Sequence, residues 1–153
     1  MAKLLDEGKL RLVEPSEEMK AAYFRKSESY LTSAKLLLDN DRLEESVTMV
    51  YYSMYYALLA LLFRVGIRGE NHSAAIVLLK EVFDVDNSEI ASAKRERIDK
   101  QYYIDFSIVR EDVGELIEAA ERFDAKILDF TAKLNSEKIA GFREKMGRLP
   151  KGL

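Results

Sequence analysis

Between Pro15 and Pro150 the chain contains no proline. Proline removes a backbone donor and clashes with the preceding helical turn, so this stretch can be helical wherever its apolar pattern asks. Glycine interrupts it little: none lies between Lys9 and Val65, and only Gly66, Gly69 and Gly114 follow before the tail. Turn-forming clusters mark the joints at Asp39-Asn40-Asp41, Gly66 to Asn71 and Asp84 to Ser88. Few joints in 153 residues imply a handful of long helices in one domain.

Composition narrows the chemistry. No cysteine excludes disulfides, thiolate nucleophiles, zinc ribbons and iron–sulfur clusters, and one histidine excludes multi-histidine metal sites. No cofactor and no metal are expected. With 48% hydrophobic and 33% charged residues and a net charge of −3, the chain reads as a soluble globular protein rather than a generic nucleic-acid binder. Met1 to Pro15 mixes charges among its apolar residues, so no secretory leader is expected, and a cytoplasmic location is. Val47 to Val65 is nearly long enough to span a membrane, but its four tyrosines would fall at the bilayer centre instead of the interfaces. A buried helix, with no membrane role, is the expectation.

Apolar periodicity places the helices. The first starts near Glu14–Ser16 and turns Tyr23, Ser27, Tyr30, Leu31, Ala34, Leu37 and Leu38 to a core. The second runs from Leu43 to Val65 and stops at Gly66. It carries Tyr51, Tyr55, Leu58 and Leu62 on one face, Tyr52, Tyr56, Leu59 and Phe63 on another, and a small-residue strip of Ser53, Ala57 and Ala60. A third begins near Asn71–Ser73, a fourth spans Ser88 to Asp105, and a fifth runs from Val109 to Leu134 with an acidic outer face. No strand-like alternation with hairpin turns is present. The expected fold is all-α, an up-and-down bundle of four to five helices. Residues 1–134 form the domain, with 1–14 as a lead-in. The basic tail, 135–153, holds at most one more short helix.

Among clusters that carry chemistry, Arg64, Arg68, His72 and Ser73 fall within ten residues at the start of the third helix. A helix N-terminus with two guanidiniums is suited to a phosphate. Lys94, Arg95, Arg97 and Lys100, beside Tyr102 and Tyr103, are interrupted by Glu96 and Asp99 and read as a solvated face. Tyr51, Tyr52, Tyr55 and Tyr56 form a tyrosine-rich face suited to an interface. Gly66-Ile67-Arg68-Gly69 matches the GxxG loop of KH domains but lacks their sheet, and reads as a helix stop with a short loop. A di-iron pairing with His72 fails because its partner position is Gly69. Gly-x-Ser-x-Gly and P-loop motifs are absent.

The stretch SVTMVYYSMYYALLALLFRVGIRGENHSAAIVLL, Ser46 to Leu79, resembles the HEPN (higher eukaryotes and prokaryotes nucleotide-binding) family, particularly its small stand-alone prokaryotic members. The shared features are Tyr-Tyr-x-Met-x-Tyr-Ala, the basic loop after Gly66 and the Asn71-His72-Ser73 step; Arg110 matches the Arg opening that group's final helix. The resemblance implies a four- or five-helix bundle that dimerises, and a small nucleotidyltransferase partner in a toxin–antitoxin module. It also implies that active members are metal-independent ribonucleases with Arg, four to six residues, then His. Arg68 leaves three residues before His72 and Arg64 leaves seven, so no catalytic residue is carried over. The leading reading is a non-catalytic HEPN protein, a homodimer binding a nucleotide, RNA or a nucleotidyltransferase. The alternatives are a ribonuclease with atypical Arg/His spacing and a purely structural helical adaptor.

Overall fold

The computed structural model describes residues 10–69, 71–102 and 107–149, with 98–102 as backbone only. Its elements are β1 (Leu10–Leu12), α1 (Glu17–Asp39), α2 (Leu43–Val65), β2 (Ile67–Gly69), α3 (His72–Glu81), α4 (Ser88–Tyr102), α5 (Arg110–Ala132) and α6 (Ser136–Gly147). The expected end of the fourth helix at Asp105, residues 1–9 of the lead-in and residues 150–153 of the tail lie outside the described residues.

Local chemistry sets the helix ends. Ser16 caps α1 by accepting from the Met19 amide at 3.0 Å, and Glu17 and Glu18 meet the positive end of its dipole. Asn71 and Asn135 cap α3 and α6 in the same way, accepting from Ala74 and Lys138. α2 ends at Gly66, whose φ of 84° is the left-handed stop. A Cβ there would collide with the Val13 carbonyl, the Pro15 nitrogen and the Arg143 guanidinium, so both torsion and space demand glycine.

α2 is the axis of the molecule. The face with Tyr51, Tyr55, Leu58 and Leu62 is buried, while Tyr52, Tyr56, Leu59 and Phe63 are half-buried. By length and composition α2 could cross a membrane, but most of it is enclosed by the other helices. Each fully buried leucine contributes roughly 1.5–3 kcal/mol relative to exposure. α1 runs antiparallel to α2: Ser27 meets Ser53 and, further along α1, Ala34 meets Ser46. Small residues at these crossings let the two backbones approach closely. α5 packs on both, its stripe Val113, Ile117, Ala120, Phe123 and Ile127 all buried. Arg110, the first residue of α5, donates to the Leu38 carbonyl and Asp41, both at 2.7 Å, and so closes the C-terminal end of α1.

Two features depart from the sequence expectation. β1 and β2 pair antiparallel, with Arg11 opposite Arg68, so part of the lead-in and the loop after Gly66 form a minimal sheet. Three residues per strand are too few to write a period-two pattern. The packed body also continues beyond Leu134. Ile139 and Met146 of α6 are buried, and Phe142 packs against Phe83 (4.9 Å between centroids) and Phe130 (6.0 Å). Arg143 then reaches back to donate to the carbonyls of Val13 (2.7 Å), Gly66 (2.9 Å) and Val65 (3.1 Å).

Candidate phosphate-binding site

The start of α3 faces the tyrosines of α2. His72 stacks on Tyr55, with centroids 3.9 Å apart and planes at 21°, and meets Tyr52 edge-on at 6.3 Å. Its Nδ1 lies 2.8 Å from the Tyr51 hydroxyl. Tyr51 is fully buried, and its hydroxyl hydrogen has no other acceptor among the described residues. With the Tyr51 hydroxyl donating to Nδ1, the imidazole hydrogen sits on Nε2; the opposite tautomer reverses the direction of the bond. Burial raises the Tyr51 phenol well above its usual range and lifts Tyr55 to about 12, so neither ionises near neutrality.

α4 supplies the cations. The Arg97 guanidinium lies 5.1 Å from the Tyr52 centroid and 5.5 Å from that of Tyr51, a cation–π arrangement on two rings. Its Nε is buried with no hydrogen-bond partner among the described residues. Lys94 donates to the Ser73 hydroxyl in the first turn of α3. Burial first, then the charges of Arg97 and Lys94, hold His72 below its ordinary value, so the ring is neutral at pH 7. The Arg97 guanidinium, the Lys94 ammonium and the His72 and Ser73 amides that open α3 are all donors, as is Nε2–H in that tautomer. An anion rich in acceptor oxygens matches that set.

The sequence cluster of Arg64, Arg68, His72 and Ser73 divides into three places. Arg64 is engaged with Glu17 of α1 at 2.5 Å. Arg68 is exposed on β2 opposite Arg11. Only His72 and Ser73 stand at the site, where Lys94 and Arg97 replace the expected arginines. Neighbours in sequence separated here because Gly66 ends α2 and the chain turns into a strand. Arg97 escaped the sequence reading because alternating charges in α4 look like a solvated face. Lys100, Tyr102 and Tyr103 of that cluster lie outside the described side chains.

The tyrosine face also divides. Tyr51 and Tyr55 are 0% and 5% exposed, too buried to make an interface, because α3 and α4 cover them. Tyr52 and Tyr56 are half-buried and join Tyr23, Tyr30 and Phe63 in a chain of rings, with Tyr23 on Phe63 at 5.0 Å and Tyr30 on Tyr56 at 5.1 Å. The Lys26 ammonium lies 4.3 Å from the Tyr56 centroid. A separate cleft of about 440 Å³ between α5 and α6 is bordered by Lys126, Lys133 and Lys138. Two of these already have carboxylate partners, Glu89 at 3.7 Å and Asp129 at 2.9 Å, which makes it the poorer anion site.

Fold and site together define a small all-α protein whose tyrosine-rich central helix meets the start of a short helix beside a cluster of cationic donors. The chain belongs to the HEPN family: the HEPN domain matches residues 21–129, most of its length. Among similar proteins, a UPF0332 protein of Pyrococcus horikoshii is 46% identical over 50 residues, 33% of this chain and 35% of that protein. A UPF0332 protein of Thermotoga maritima is 36% identical over 59 residues, 39% of this chain and 45% of that protein. The matched stretches thus span less than half the length of these relatives.

Proposed function

We propose that this HEPN protein binds the phosphate of a nucleotide at the start of α3 and performs no chemistry on it. The observation that carries this reading is Arg97: its guanidinium lies over Tyr51 and Tyr52, with an Nε that has no hydrogen-bond partner among the described residues, beside Lys94 and the start of α3. A phosphate seated beside Lys94 and the start of α3 would neutralise the Lys94 and Arg97 charges in one step. The family supports a wider setting, in which the protein is a cytoplasmic homodimer and works with a small nucleotidyltransferase in a toxin–antitoxin-like module. The half-buried rings of Tyr23, Tyr30, Tyr52 and Tyr56 are suited to such a protein contact.

A ribonuclease reading has one observation in its favour: the fold sets Arg97 against the surroundings of His72, although the two lie far apart in sequence. Against it, a neutral His72 whose Nδ1 is already held by Tyr51 lacks the proton a general acid must give at pH 7.

Calorimetric titration of the intact protein with ATP, GTP, inorganic phosphate and short RNA tests the binding claim. Binding of the nucleotides is expected, weakened about 10–100-fold in Arg97→Ala, the size of one charge-assisted contact. No heat from any of the four ligands would overturn it.

A further inference from the structure

Asp124 lies on α5 where α1, α2 and α5 meet, away from the His72 site. Its Oδ2 is 2.5 Å from Ser53 Oγ and 3.3 Å from Ser27 Oγ. The same hydroxyls also reach across to each other's backbone: Ser27 Oγ is 2.7 Å from the Ser53 carbonyl, and Ser53 Oγ is 3.0 Å from the Ser27 carbonyl. Two hydroxyl hydrogens would have to be shared among the three shortest contacts. A third hydrogen on Asp124 completes them: each serine donates to a carbonyl, and the carboxylic acid donates to Ser53 Oγ.

The surroundings favour the same protonated form. Asp124 Oδ1 is buried with no partner among the described residues, a position that suits a neutral acid far better than half of a carboxylate. From α1, the seam is faced by Phe24, Ser27 and Leu31, with Arg25 and Glu28 exposed at its rim. From α2 it is faced by Ser53, and α5 adds Ala125 and Leu128 to a cleft of about 350 Å³. The charged pair Lys35–Glu121, at 3.5 Å, joins α1 to α5 further along. Burial, opposed only by the two serine hydrogen bonds, raises the carboxyl from its ordinary value to about 7.

We propose that Asp124 is a proton-operated clamp: as a neutral acid it ties α5 to the α1–α2 pair, and its ionisation loosens the α1–α5 seam. The sign of the pH effect follows from the two states. The unfolded side chain titrates near 3.8 and the folded one near 7, so the folded state holds an extra proton between those values. Stability from this group is full below about pH 4, declines as pH rises to about 7, and is flat beyond. His72 acts in the opposite sense, because its folded value lies below its unfolded one.

Urea unfolding of the full chain and of Asp124→Asn at about pH 5 and pH 8 isolates the clamp, because asparagine keeps the donor and cannot ionise. Relative to the variant, the wild-type unfolding constant is expected to be about 100-fold larger at pH 8 than at pH 5. An identical pH dependence in the two proteins would overturn the proposal. Should the variant not fold, carbon-13 titration of the wild-type carboxyls decides the matter. One aspartate titrating near 7 supports the clamp, and every aspartate titrating below 5 refutes it.

Discussion

A half-buried imidazole keeps its ring neutral when one nitrogen is held in a hydrogen bond and cations surround it. His72 meets both conditions through Tyr51 on Nδ1 and through Arg97 and Lys94 nearby. It is also the only histidine in the chain, so nitrogen-15 spectra of the imidazole report one site without ambiguity. In the free protein such spectra should show the Nε2–H tautomer and a midpoint below the ordinary 6.5. A midpoint above 6.5 would mean that a carboxylate, not Arg97, governs the ring. Sequence made His72 visible as a helix-start residue among cations. It did not reveal which cations, because Arg97 lies a helix away and the contact exists only once α4 packs on α2. Asp124 was equally hidden, although Ser27 in the core stripe of α1 and Ser53 in the small strip of α2 were both in view. Two buried hydroxyls facing each other call for a polar neighbour, and that is the signal a closer reading would use.

At the scale of elements, the helices were legible where an end has a chemical marker. α2 runs from Leu43 to Val65 as its pattern and Gly66 predict, and α3 begins after the Asn71 cap. The depth of the two tyrosine faces was not legible, since both repeat at the same helical spacing and only packing decides which is covered. In sequence α6 falls within a basic tail, six basic and two acidic residues from Lys133 on, with room for one short helix. Yet Ile139, Phe142 and Met146 recur at steps of three and four, and Arg143 on the same helix is a latch across three backbone carbonyls. Arg143→Met keeps the aliphatic stem and removes the donors, leaving the Val13 and Val65 carbonyls without this partner. A loss of about 2–3 kcal/mol in urea unfolding is expected, and a change below about 0.5 kcal/mol would show that the latch carries no weight.

Over the whole molecule, two polar centres sit on different sides of α2. One joins α2 to α3 and α4 through Tyr51, His72 and Arg97; the other joins α2 to α1 and α5 through Ser53 and Asp124. The first gathers the cations Lys94 and Arg97 around His72, whereas the second ties two serines to one carboxyl. The central claim is that an anion completes the first. Because His72 touches this centre and is unique, its resonances provide the most direct test: titrate ATP into the 153-residue chain at pH 7 and follow the imidazole. A saturable shift that is lost in Arg97→Ala is the predicted result. An imidazole that does not move at millimolar ATP, or moves equally in the variant, would contradict the account.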